Sequence, residues 1–220
     1  MIQTSFNQDF YHSDISKDFF KKLTKLRKLN LSQNGFFSKE EFPDLNHLNQ
    51  LEVLILRDTY LNQTTPILNL PSLKILDLSG AINKFKANTT FHDGFFEKLP
   101  KLEVLILNRN NLKKLPTSLE NIISSLKVLS IVDNKLLFLP SYITNKGKNL
   151  TELYFNNNYD DDVNFTLEEN SLKKLTNLKY CFIPQLEKIS KEHYVTMYPN
   201  IIFQERGPIL LSLFPELTPK

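Results

Sequence analysis

Tryptophan is absent from this chain, glycine occurs five times and cysteine once. Each shortage excludes something. A lone cysteine, Cys181, allows no disulfide within the chain, so a scaffold held by bridges is ruled out and a reducing compartment is expected. The glycines, at 35, 80, 94, 147 and 207, are too scattered for a phosphate-cradling loop. No stretch approaches the ~20 apolar residues that a membrane-crossing helix needs. The opening residues, Met1-Ile2-Gln3-Thr4-Ser5-Phe6-Asn7, contain neither the basic nor the apolar region of a secretory signal. A cytoplasmic protein is therefore expected, or one delivered into a host cell by a route without a conventional signal peptide. Charge of one sign is lacking too. Lys plus Arg number 27 against 24 Asp plus Glu, a net +3 that is too weak to argue for nucleic acid.

What is present is leucine at a fixed spacing. The pattern L-x-x-L-x-L-x-x-N reads as Leu26, Leu29, Leu31, Asn34, again as Leu102, Leu105, Leu107, Asn110, and as Leu126, Leu129, Ile131, Asn134. It continues at Leu150, Leu153, Phe155, Asn158. Two copies carry another residue in the Asn place: Leu51, Leu54, Leu56 with Thr59, and Leu73, Leu76, Leu78 with Ala81. A weaker copy runs Leu178, Cys181, Ile183, with Leu186 in that place, and an eroded one starts at Ile201. Successive starts lie 25, 22, 29, 24, 24, 28 and 23 residues apart. The two long intervals imply short insertions near Asn83–Asp93 and Tyr159–Glu169. Outside the signature, Asp18-Phe19-Phe20-Lys21-Lys22-Leu23 echoes Gly94-Phe95-Phe96-Glu97-Lys98-Leu99.

This array resembles the leucine-rich-repeat family over roughly residues 15–205. The resemblance implies an α/β solenoid, a horseshoe of about seven to eight repeats. A parallel β-sheet would line its concave face, with short helical or 3₁₀ turns on the convex face. The physical reason is plain. Each x-x-L-x-L segment is a short strand whose leucines point to one face, and a repeat buries them only by stacking on its neighbours. Residues 26–205 are read as repeats, 1–25 as an N-terminal cap and 206–220 as a C-terminal cap or tail. Ser13-Asp14-Ile15-Ser16 offers helix N-cap chemistry. The apolar run Ile209–Phe214 is expected to fold back over the last repeat. In this family the signature Asn bonds the backbone of neighbouring turns, which fits Asn34, Asn110, Asn134 and Asn158. Thr59 substitutes in part, and looser turns are expected at Ala81 and Leu186. Phe19, Phe20, Phe95 and Phe96 are expected to fill the core behind the strands.

The resemblance also implies that residues beside the leucines form a concave binding face. Its first columns read Lys28, Val53, Ile75, Val104, Val128, Glu152, Tyr180, and Asn30, Ile55, Asp77, Ile106, Ser130, Tyr154, Phe182. Beyond them come Arg57, Val132 and Asn156, then Asp58, Arg109 and Asp133. Contiguous apolar residues on an exposed face mark an interaction site, and Tyr and Arg are common anchors. The partner-binding candidates are Val53, Ile55, Arg57, Ile75, Asp77, Val104, Ile106, Arg109, Val128, Tyr154, Tyr180 and Phe182. Strand preference of β-branched residues is the competing explanation of the apolar columns.

Signals of chemistry are few. His12, His47, His92 and His193 lie far apart, and no catalytic or metal constellation emerges. Cys181 occupies an inward leucine position and reads as a small buried hydrophobe. Asp160-Asp161-Asp162 reads as a solvated insertion loop rather than an ion site. The expected function is protein–protein interaction, without enzymatic activity or cofactor. The bridge-free array and the 23 asparagines are similar to leucine-rich-repeat effectors that intracellular bacteria deliver into host cells. A self-associating structural protein or a housekeeping adaptor is the alternative.

Overall fold

The structure, a computed structural model, describes residues 2–3, 19–34, 42–61, 68–82, 91–156, 158–160, 163–164, 167–168, 170–183 and 191–203. Seven three-residue strands repeat along it: β2 (Lys28–Asn30), β3 (Val53–Ile55), β4 (Ile75–Asp77), β5 (Val104–Ile106), β6 (Val128–Ser130), β7 (Glu152–Tyr154) and, after the second insertion, β10 (Tyr180–Phe182). Two-residue strands close the ends, β1 (Ile2–Gln3) and β11 (Ile202–Phe203). All nine pair in parallel, in the order β1-β2-β3-β4-β5-β6-β7-β10-β11. The pairing register follows the leucine signature, with Leu29, Leu54, Leu76, Leu105, Leu129, Leu153 and Cys181 directly opposite one another. Sequential strands are neighbours because each repeat buries its leucines only by stacking on the repeats beside it in the chain.

These inward residues, with Leu31, Leu56, Leu78, Leu107, Ile131 and Phe155, form one continuous buried core. Each contributes roughly 1.5–3 kcal/mol by leaving water. Convex turns close the core from behind. They include α1 (Leu119–Ile122), α2 (Ser141–Lys146), α3 (Lys191–Met197) and two 3₁₀ turns, Phe19–Lys22 and Ser171–Lys174. In the first, Leu119, Ile122, Ile123 and Leu126 follow helical spacing and are all buried. Pro140 precedes α2, where its missing N–H costs nothing.

Five points differ from or add to the sequence reading. Phe20, Phe95 and Phe96 are buried, but Phe19 is 53% exposed, stacked edge-on to Phe20 at the first turn. Its counterpart Phe95 packs against Phe91, 5.3 Å away. The N-terminal segment contributes a strand, β1, pairing Ile2 with Leu29. At the other end Phe203 faces Cys181, one residue earlier than a copy starting at Ile201 would place it. The second insertion holds a small antiparallel hairpin, β8 (Tyr159–Asp160) with β9 (Val163–Asn164). Lastly, the turn at Ala81 is closed rather than loose, by a 3.1 Å bond from Ala81 N to Leu78 O. Ser13–Ser16, most of the 83–93 insertion, Asn157, Asp161, Asp162, Leu186 and Ile209–Phe214 lie outside the described residues.

Candidate functional site: the concave face and its rim

The signature asparagines set the geometry of the face by fixing how each strand ends. Asn134 Nδ2 donates to Ile131 O (3.0 Å) in its own turn and to Leu107 O (3.0 Å) in the turn before. Its Oδ1 accepts from Asn110 N and Leu112 N, both at 3.1 Å. Asn110 and Asn158, one turn away on either side, repeat both carbonyl bonds, and their Oδ1 atoms accept from Ile82 N (2.9 Å) and Leu136 N (3.1 Å) respectively. Thr59 reproduces only the local bond, Oγ1 to Leu56 O at 2.8 Å. Where Ala81 has no side-chain donor, Asn110 reaches across to Leu78 O at 2.8 Å. Buried backbone groups must be paired, and the ladder does this through the repeat that lacks its own asparagine.

Just before each of these residues the chain turns left-handed. Gln33, Asp58, Gly80, Arg109 and Asp133 have φ of 62, 52, 60, 57 and 55°. Only Gly80 adopts this conformation without steric cost. No shared signal marks the position in the sequence, since the five residues have no chemistry in common. These residues form the rim at the C-terminal ends of the strands.

The register brings the candidate residues together as the columns implied. Val53, Ile75, Val104 and Val128 stand side by side, and so do Ile55, Asp77, Ile106, Ser130 and Tyr154. Their accessibility is the correction. Val53, Ile55, Ile75, Val104, Ile106, Val128 and Tyr154 form a second buried cluster, packed against Val132 and Phe182. Ile55 is 3% exposed and Tyr154 0%. Strands ~4.8 Å apart press the flanks of adjacent side chains together, and inward curvature narrows the gaps between their tips. The apolar columns are thus a packed second core, with Tyr180 and Phe182 partly exposed at its end.

Several polar groups on this face are engaged with one another, while the buried Asn156 Oδ1 has no hydrogen-bond partner. Asp77 is fully buried; its Oδ2 accepts from Arg57 Nε at 2.6 Å and its Oδ1 from Ser79 N and Oγ at 2.9 and 2.7 Å. Tyr154 Oη donates to Glu152 Oε2 at 2.6 Å. Asn108 Oδ1 takes Ser130 Oγ and Val132 N at 2.8 and 2.9 Å. What remains open is the rim, where the Arg109 side chain is 51% exposed and lies 4.0 Å from Asp58. A charged ribbon that sequence reading missed runs along the opposite edge. It contains Arg27–Glu52 at 3.2 Å, Lys74–Glu52 at 3.5 Å and Lys127–Glu103 at 2.9 Å. Exposed pairs of this kind contribute little stability individually. Near it, a groove of about 510 Å³ is lined by Asn149, Thr151, Asn177 and Lys179. The two amides there bind Ser124 O and Lys148 O at 2.7 Å, so they tie adjacent turns together.

Groups capable of chemistry sit apart. Cys181 is wholly buried, and desolvation pushes its thiol far above the ordinary range. His92 Nδ1 accepts from Gly94 N at 3.0 Å, and His47 lies 3.0 Å from Asp44. Among the described residues no three of His, Cys, Asp and Glu lie together as metal ligands. Nor is any described helix long and apolar enough to cross a membrane.

Comparison with known proteins agrees with the fold. No family model matches the chain. Podocan of Mus musculus is 29% identical over 203 residues, covering 81% of this chain and 31% of podocan. The Toll chain of the Drosophila Toll–Spätzle complex superposes with a TM-score of 0.61 at 23% identity, covering 93% of this chain and 27% of its own. An internalin of Listeria monocytogenes gives 0.55 at 18% identity, covering 89% of this chain and 51% of the internalin. The chain therefore spans about half or less of each of these. Repeat signature, register and likenesses together define an open parallel solenoid with the leucine-rich-repeat fold.

Proposed function

We propose that the chain is a non-enzymatic protein-interaction module that holds a protein partner along the concave side. The observation that carries this is the register, which gathers Arg57, Asp58, Arg109, Tyr180 and Phe182 from three separate repeats beside one sheet. Anchors of this kind, around a packed apolar floor, suit a protein surface better than a small molecule. The Toll–Spätzle complex is a case of a protein of this fold bound to another protein. The packed columns decide which residues can be changed. Ile55→Asp with Ile106→Asp buries two carboxylates and unfolds the sheet, so it cannot isolate binding. The variant Arg109→Glu with Phe182→Asp alters accessible groups instead. In a pull-down from eukaryotic lysate read by mass spectrometry, proteins retained by the wild type should be lost from this variant, with its thermal melt unchanged. Equal recovery by both would refute the reading.

Within this reading, the single cysteine and the asparagine-rich composition favour a reducing compartment and a bacterial effector acting on a host protein. Self-association is the alternative. It is favoured by the last strand, β11, whose Ile202 is 56% exposed and which has no further described strand beyond it. Sedimentation across a hundredfold concentration range separates the two, since a constant monomer excludes the alternative.

A further inference from the structure

The charged ribbon is a single column of the repeat. Arg27, Glu52, Lys74, Glu103, Lys127, Thr151 and Lys179 each stand immediately before a strand of the sheet. Their signs alternate as far as Lys127, so each acid lies between two cations. Glu52 shows how the column holds a carboxylate. Its backbone joins both neighbours, with Glu52 N donating to Arg27 O at 2.8 Å and Lys74 N to Glu52 O at 2.9 Å. Its side chain bridges the same two residues, Oε1 lying 3.2 Å from Arg27 and Oε2 3.5 Å from Lys74.

The alternation breaks at Thr151. Here too the backbone joins both neighbours, with Thr151 N donating to Lys127 O at 2.8 Å and Lys179 N to Thr151 O at 2.9 Å. Lys127 and Lys179 therefore flank Thr151 as Arg27 and Lys74 flank Glu52, but the threonine brings no charge, and its Oγ1 donates to Lys127 O at 3.1 Å. Lys127 pairs with Glu103 at 2.9 Å. Lys179 is exposed and has no carboxylate partner among the described residues. The groove of about 510 Å³ opens at this point, and among the described residues no Asp or Glu lines it.

We propose that this gap seats an Asp or Glu side chain of the protein partner, whose carboxylate bridges Lys179 and Lys127 as Glu52 bridges Lys74 and Arg27. The site deepens the interaction reading and rests on it: the partner carries an acidic residue beside the surface that meets the concave side. A carboxylate is favoured over a phosphate because the same column already holds one, at Glu52, between cations from the repeats on both sides. Exposed pairs add little affinity, so the contact sets orientation and specificity.

Fluorescence anisotropy of a labelled hexaglutamate peptide with the full chain at low ionic strength tests this. The wild type should bind the peptide. Lys179→Gln removes the free cation and Thr151→Glu fills the gap from within, so each should bind ~3–5-fold more weakly, the range of exposed pairs. Lys114→Gln, at an exposed position outside the ribbon, lowers the net charge by the same single unit and should bind as the wild type does. The proposal is overturned if the wild type does not bind, or if Lys114→Gln weakens binding as much as the other two changes. It is overturned too if a single-stranded hexanucleotide is preferred to the peptide. Failure of the interaction reading looks different: the wild type then holds the peptide at Thr151 but recovers the same lysate proteins as Arg109→Glu with Phe182→Asp.

Discussion

Replacing Asn134 by alanine tests the ladder quantitatively. The side chain is buried and makes five bonds. They are not equal in consequence. The carbonyls of Leu107 and Ile131 each keep a second donor, from Asn110 (2.9 Å) and Asn158 (2.9 Å). The amides of Asn110 and Leu112 lose the acceptor that the structure provides. Each buried amide left unpaired costs about 1–3 kcal/mol, so two cost ~3–4 kcal/mol after partial relaxation. Thr59→Ala removes one bond to Leu56 O and should cost ~1 kcal/mol. Urea unfolding followed by circular dichroism measures both, with a lower midpoint expected at unchanged slope. For a chain of this size the larger loss lowers the melting temperature by ~10 °C. If the two variants fall within ~1 kcal/mol of each other, the ladder does not hold the turns as described.

Two further outcomes follow from the rim and the core. Gly80→Ala should destabilise by ~1–3 kcal/mol, because its φ of 60° strains an L-residue and the new Cβ would land on the Asp58 carboxylate. Asp133→Gly, at the equivalent position, should be neutral or stabilising by up to ~1 kcal/mol, and chemical denaturation of both checks the pair. Cys181 should resist a thiol reagent at pH 8 until the chain unfolds, because burial keeps it protonated. Its folded pKa is raised, so the unfolded chain releases this proton first as pH climbs. Stability contributed below the unfolded pKa of ~8.5 is lost above it. Cys181→Ala should flatten that part of the stability profile, and an unchanged slope between pH 8 and 10 would contradict this.

Much of the fold was legible because the spacing of inward leucines sets strand position and register together. Once Leu54, Leu76 and Leu105 share a core, their neighbours Ile55, Asp77 and Ile106 must share the opposite face. The left-handed position escaped notice since Gln33, Asp58, Arg109 and Asp133 have only backbone conformation in common. β1 escaped because two residues carry no periodicity. Phe19 and Phe95 sit in near-identical motifs and differ in exposure because their surroundings differ.

The sequence by itself therefore determined the repeat, the inward core and which residues share the concave side, all consequences of period and alternation. Only the tertiary structure decided how accessible that side is. Burial of Ile55, Ile106 and Tyr154 is a property of several rungs packed together, and no single repeat encodes it. The same holds for the Ala81 turn, which is supported by Asn110 from the following repeat. Such support depends on which turns lie within hydrogen-bonding distance after the solenoid has formed.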